Sequence, residues 1–329
     1  MPSKIRLLDG SMSAQLSAFG YNTEDHKPHW TFPANEDLEL MKQVYQSNLS
    51  TGADVVTTNT YHFGSVLDTS IAENVQKRVE FERFFEKTCN LMVKLVKEAG
   101  SNTEVWGSVG TLATMYHDLS EYNGKYIDLP GSFGYLKRRR LRFHVASRLK
   151  TQYMYISSQD TALNYFKTVI AIFQEKTVIR KLVFETIPTE REAMAAVSAL
   201  QQFPEMKAVI SFTCDKNGCL RHGEKITNVA KELENNKQIV GIGVNCTDPS
   251  NITAALLEIR HCNFQEIFVY PNVGDATFLD NEKDEEDVFK FDLIASWVDS
   301  GATVIGGCCG VQNKQLLSLR KIIDKINKH

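Results

Sequence analysis

No run of about eighteen apolar residues occurs in the 329-residue chain, so a membrane-spanning helix is not expected. The opening stretch, MPSKIRLLDGS, lacks an apolar core of signal-peptide length. Neither sign of charge dominates. Lys plus Arg number 37 against 40 Asp plus Glu, a formal net charge of −3, so no global field points to nucleic acid or an anionic membrane as partner. Cysteine is sparse and odd in number: seven residues, without the spacing of a small disulfide scaffold. No internal repeat and no Pro/Gly/Ser-rich linker divides the chain. Together these absences lead to an expectation of one cytoplasmic domain, and 43% hydrophobic content suffices for a large core.

What is present is an alternation. Short β-branched runs at 5–9, 54–59, 105–109, 181–185, 208–213, 239–245, 266–270 and 303–306 read as eight strands. Amphipathic stretches such as 38–49, 75–97, 163–174 and 190–200 lie between them. Eight strand–helix alternations in a chain of this length predict an α/β fold of the (β/α)₈ TIM-barrel type. The rival, a doubly wound open sheet, usually carries a GxGxxG turn after its first strand, whereas LLDGSM stands there.

In such a barrel, chemistry gathers at the C-terminal ends of the strands. Asp9 ends the first strand, Asn59 and Thr60 the second, Glu185 the fourth, Cys246 the sixth, and Cys308 with Cys309 the eighth. The strongest local signal is GGCCG at 306–310. Successive strand residues face opposite sides, so adjacent cysteines can grip one ion only where the chain leaves the pleat; the flanking glycines permit this through backbone angles closed to other residues. With Cys246 they would make a three-thiolate set. Zinc suits such a set at about 2.3 Å per Zn–S bond, and an open fourth position marks catalysis. A phosphate-binding glycine turn, plain core cysteines and a strained disulfide are alternatives at this level. Cys89 and Cys262 fall in helical patterns and read as packing or surface residues, and Cys214 with Cys219 as loop residues.

The chain resembles the homocysteine S-methyltransferase family. The matching pieces run nearly end to end: LLDGSMSAQL, TGADVVTTNTYHF, GSVGT, EYNGKY, FETIPTEREA, SFTC…GE, GIGVNC, YPNVG and GGCCG. The resemblance implies a (β/α)₈ barrel with zinc on Cys246, Cys308 and Cys309. It also implies that Asp9 and Glu185 hold the substrate ammonium, against bland readings as a turn former and a helix N-terminal acid. Asn59 and Thr60 are expected at the substrate as well.

The chemistry implied is transfer of a methyl group from a sulfonium donor, S-methylmethionine or S-adenosylmethionine, to the homocysteine thiolate, giving methionine. No general base beyond the metal is required. The chain ends about twenty residues after GGCCG, which leaves no room for cobalamin or folate modules and no long extension of the betaine-dependent kind. Trp30, Tyr61 and Tyr116 are candidates for a cation site. The alternative reading is a zinc-binding barrel of this family with lost or reduced catalysis, serving as a binding or regulatory protein. It is motivated by an atypical basic insertion at 131–158 with seven Lys or Arg between Lys137 and Lys150. The expected role of that stretch is a tolerated surface insertion. The acidic run DNEKDEED at 280–287 reads as a solvated loop.

Overall fold

The protein is described here by a computed structural model that covers residues 4–27, 29–64, 66, 75–116, 118–128, 158–273 and 288–328. The basic stretch at 131–158, apart from Ser158, and the acidic run at 280–287 lie outside the described residues.

Among the described residues the β-branched runs form eight strands: β1 (Arg6–Leu7), β2 (Val55–Thr57), β3 (Glu104–Val109), β4 (Lys181–Ile187), β5 (Lys207–Phe212), β6 (Ile239–Asn245), β7 (Glu266–Tyr270) and β8 (Val304–Ile305). They pair in parallel in the order β1-β8-β7-β6-β5-β4-β3-β2. The ring closes between β1 and β2 through a parallel bridge at Leu8↔Val55, where Asp54 N donates to Leu7 O at 2.8 Å and Asp9 N to Val55 O at 3.0 Å. The result is the expected (β/α)₈ barrel. Boundaries of β6 and β7 match the sequence reading, whereas β1 and β8 contract to two residues each.

The helices are α1 (Met12–Ala18), α2 (Leu38–Ser50), α3 (Val75–Glu98), α4 (Ser158–Lys176), α5 (Glu190–Leu200), α6 (Ile226–Leu233), α7 (Pro249–Ile259), α8 (Phe291–Asp299) and α9 (Asn313–Ile326). Two of them start at the strand ends that matter for the site. Thr189 caps α5 by accepting from Glu192 N at 3.1 Å, and Asp248, followed by Pro249, caps α7 by accepting from Ser250 N at 2.9 Å. Each cap satisfies a backbone donor that the first helical turn leaves orphaned. Alternation along the strands sends Val55, Trp106, Val183, Val209, Phe268 and Val304 into one buried cluster that fills the barrel. The opposite faces pack on the helices in a larger core that includes Phe85, Phe166, Phe173 and Phe184. No helix among the described residues is long and apolar enough to cross a membrane.

Candidate active site

Beyond the C-terminal strand ends lies a cavity of about 330 Å³. Asp9, Asn59, Glu185, Cys246, Cys308 and Cys309, which come from five strand ends, all line it. Of the residues expected to hold the metal or homocysteine, Thr60 alone does not. Its hydroxyl donates to Ser108 O at 2.6 Å and meets Thr58 Oγ1 at 2.7 Å, which ties the end of β2 to β3.

The three cysteines form the one group of metal-ligating side chains found among the described residues, with all three sulfurs within 4.8 Å of one another. Cys246 Sγ lies 3.9 Å from Cys309 Sγ. Three sulfurs arranged tetrahedrally at about 2.3 Å from a zinc ion stand about 3.8 Å apart, so this separation fits the ion. Cys246 and Cys308 approach to bonding contact as a disulfide pair, with their Cα atoms 5.6 Å apart. The same three sulfurs are thus close enough to hold one ion when reduced, and two of them close enough to pair when oxidised.

Local backbone makes the gathering possible. Cys246 follows β6 with φ +45°, a left-handed conformation that few non-glycine residues adopt. Gly310 has φ +80°, as expected of a glycine beside the paired cysteines. Gly306 and Gly307 serve differently: they do not use left-handed angles but allow close approach. A Cβ on Gly306 would lie 2.6 Å from Leu8 Cβ and 2.7 Å from Asp9 O, and one on Gly307 would collide with Val311. Glycine here brings β8 against β1, so that Asp9 and the cysteine pair share one rim.

Asp9 is 2% exposed. Its carboxylate accepts from Thr57 N at 2.9 Å and Thr57 Oγ1 at 3.2 Å. Burial, reinforced by the charge of Glu185, pushes its pKa up to about 8. Burial likewise pushes Glu185 up to about 7, although the Ser108 hydroxyl donates to it. Asp9 is buried and Glu185 half-buried, and among the described residues neither forms an ion pair with a Lys, Arg or His.

Several cavity residues were not expected from sequence, Glu24, Glu121 and Tyr122 among them. Glu121 and Tyr122 descend from the stretch after β3, within the EYNGKY piece. Burial raises Glu121 to about 7. Tyr122 lines the cavity together with Cys309, whose thiol is pushed up to about 11 by burial. A protonated thiol is a poor nucleophile and ligand, and a bound cation would favour the thiolate. Trp30 and Tyr61 line the cavity with His62 between them, the Trp30 and His62 rings stacked at 6.2 Å. Tyr116 packs on Tyr126 at 5.5 Å instead. Cys89, in α3, and Cys214 are buried, while Cys219 and Cys262 are partly exposed; all four lie away from the cluster.

The fold and the site define a class: a (β/α)₈-barrel enzyme with three clustered cysteines and buried carboxylates at its C-terminal mouth. The model of the homocysteine S-methyltransferase family matches residues 6–323, and the chain belongs to that family. It is 25% identical to homocysteine S-methyltransferase 1 of Saccharomyces cerevisiae, the match covering 98% of this chain and 95% of that one. It is 27% identical to a betaine-homocysteine S-methyltransferase of Drosophila melanogaster, over 97% and 94% of the two chains. The metallated form of the homocysteine methyltransferase MmuM of Escherichia coli has a similar fold, with TM-score 0.74 at 23% identity, over 97% of this chain and 96% of that one.

Proposed function

We propose that this homocysteine S-methyltransferase takes its methyl group from a sulfonium, S-methylmethionine or S-adenosylmethionine, and uses zinc held by Cys246, Cys308 and Cys309. The observation that carries the donor reading is the acidic lining of the cavity, which a bound cation would draw into its ionised form. Asp9, Glu24, Glu121 and Glu185 line it, and among the described residues that do so there is no Lys or Arg. Unlike charges attract strongly in a low-dielectric cleft and like charges repel, so this lining favours a cationic donor and disfavours a polyanionic one such as a folate.

Zinc bound by the three cysteines would supply the Lewis acidity that keeps the substrate sulfur deprotonated at neutral pH. The residues do the rest. Asp9 and Glu185 accept the homocysteine ammonium and orient the amino acid, while Ser108 and Thr57 hold those two carboxylates in place. Asn59 and Thr60 act on the substrate pocket through the backbone they hold. Asn59 Nδ2 donates to Thr31 O at 2.8 Å, beside Trp30, and Thr60 fixes β2 to β3. Trp30 and Tyr61 offer ring faces to the donor cation. In the transfer the homocysteine sulfur forms a bond to the methyl carbon as the donor's sulfur–methyl bond breaks. The electron pair stays on the donor sulfur and cancels its charge. The thiol proton has already left to solvent. Positioning and electrostatics provide the acceleration.

The test is methyl transfer to homocysteine by reduced, zinc-loaded protein with S-methylmethionine, S-adenosylmethionine, betaine and methyltetrahydrofolate offered separately. Turnover with a sulfonium, abolished by a chelator and restored by zinc, is expected. Turnover with betaine or the folate alone would overturn the donor assignment.

A further inference from the structure

Glu192 is completely buried, yet among the described residues no Lys, Arg or His forms an ion pair with it. Such a carboxylate is expensive to keep in a core. Three donors converge on it. Leu112 N donates to Oε1 at 2.5 Å, Thr111 Oγ1 donates to Oε2 at 3.0 Å, and the Tyr126 hydroxyl also donates to Oε2. Two of them come from the turn after β3, and the third from the segment 118–128. That segment carries Glu121 and Tyr122 into the cavity. It has only short 3₁₀ turns of its own, and Leu119 at its start takes φ +59°.

The whole segment docks on the first turn of α5. Gly124, at φ +65°, lies so close that an added Cβ would stand 2.6 Å from Thr189 Cγ2 and 2.9 Å from His222 Cβ. Arg191 Nη1 donates to Ile127 O at 3.2 Å, and its other nitrogen pairs with Asp128. Tyr126 is 3% exposed and is the buried peg of this contact.

We propose that Glu192 is a positioning residue for the methyl-transfer site: by gripping Tyr126 it seats 118–128 over the mouth of the barrel and thereby aims Glu121 at the amino-acid pocket and Tyr122 at Cys309. The proposal rests on the reading of the cavity as the homocysteine site. It explains why a carboxylate that forms no ion pair among the described residues is kept in the core, since a carboxylate can accept from both anchored segments at once. Burial raises Glu192 to about 7, the same direction as the other acids here.

The experiment uses Tyr126→Phe, Glu192→Met and the double variant in the full chain, with Tyr122→Phe as reference. Methionine is the binding probe, and Co²⁺ in place of zinc is the optical one. Tyr126→Phe removes only the peg's hydroxyl and leaves Glu192 two donors, so folding and metal content stay intact. Methionine affinity is expected to fall about tenfold, a usual size for displaced supporting groups. The sulfur-to-cobalt band should shift in the same direction as in Tyr122→Phe, because one variant removes and the other displaces the Tyr122 hydroxyl that shares the cavity with Cys309. The double variant should bind no worse than Glu192→Met. Affinity within about twofold of wild type and an unshifted band in Tyr126→Phe would overturn the proposal. Absence of methyl transfer or methionine binding in the wild type would instead refute the reading of the cavity, so the two failures are distinguishable.

Discussion

Asn245 and Thr186 clasp each other across the mouth of the barrel: Thr186 N donates to Asn245 Oδ1 at 2.9 Å, and Asn245 Nδ2 donates to Thr186 Oγ1 at 2.8 Å. Thr186 has φ +60° and Cys246, the residue after Asn245, has φ +45°. The clasp therefore stabilises two left-handed residues, one next to Glu185 and one a cysteine of the cluster. Asn245→Ala removes both bonds and leaves buried groups unpaired. It is expected to cost about 2–4 kcal/mol of stability, from two lost hydrogen bonds and the buried groups they leave unpaired. Thermal unfolding gives the stability change, and a raised KM for homocysteine would report the displaced Glu185. An unchanged KM in a folded variant would show that the clasp does not serve the site.

The cysteine cluster predicts a coupling between redox state and metal. Only reduced protein can offer three thiolates, because a disulfide sulfur is not a thiolate ligand. Protein oxidised with diamide is expected to hold almost no zinc, and to regain about one ion per chain after reduction. Cys309→Ser and Cys308→Ser should each lower zinc affinity by at least about tenfold, since a serine oxygen is harder and far less acidic. Atomic absorption after dialysis measures both. Full zinc in a Cys308→Ser/Cys309→Ser double variant would remove these residues from the metal site.

Asp9 and Glu185 set a pH dependence for amino-acid binding. Their pKa values, raised to about 8 and 7, leave both largely protonated at pH 6 in the empty protein. An ammonium group needs them ionised, so methionine affinity should rise as pH passes from 6 to 8. Methionine has no thiol, so its binding isolates the carboxylates from thiol ionisation. Glu185→Gln and Asp9→Asn should each weaken binding and flatten the profile, without loss of zinc. Each removes a charge-assisted hydrogen bond, an effect of roughly 1.5–3 kcal/mol. The same shifts predict that the ligand-free protein loses stability as pH climbs from about 4 to 8, because the folded state holds protons that the unfolded chain releases. Isothermal calorimetry checks the first expectation and chemical unfolding the second.

On the outer side of the segment 118–128, His222 Nε2 meets Asp128 Oδ2 at 2.8 Å, and Nδ1 meets Glu224 Oε1 at 2.9 Å. These two acids raise His222 against the opposing effect of burial, and His222 with Arg191 lowers Asp128. For the histidine, the stabilisation is complete below its ordinary value of 6.5 and fades as pH rises through the raised one. For Asp128 it is present above 3.8 and fades below. The latch is thus strongest between these values. A stability difference between wild type and His222→Gln that shrinks from pH 6 to pH 8 is the expected outcome of paired unfolding curves; a constant difference would contradict it.

The barrel was legible in the sequence because β-branched runs and amphipathic stretches alternate with the right count. Local patterning reaches less far at the seam. β1 and β8 pair through Arg6↔Val304 and Leu7↔Ile305 alone, and where a strand leaves its ladder depends on its partner. The cysteines and the two strand-end acids were legible by position. Thr60 was expected at the substrate on the same logic, but its hydroxyl turns to Ser108 and Thr58. Glu121 and Tyr122 had only the match of EYNGKY to mark them. Their place over the mouth arises from long-range docking on Glu192 and Thr189, which no local period reports. Chain length does not separate donors either, since the match spans 94% of the Drosophila betaine-homocysteine S-methyltransferase.

A cavity walled by Asp9, Glu24, Glu121 and Glu185, with no Lys or Arg among its described lining residues, would under the proposed sulfonium chemistry also set the direction of traffic through it. A sulfonium arrives as a cation and departs as a thioether, so the attraction that drew it in disappears at the moment of transfer. The spent donor leaves without a barrier from the field that captured its precursor. Under the proposed chemistry, fresh and spent donor differ in charge at the reacting sulfur, so at the donor end of the cavity the thioether is held less tightly than the sulfonium it came from.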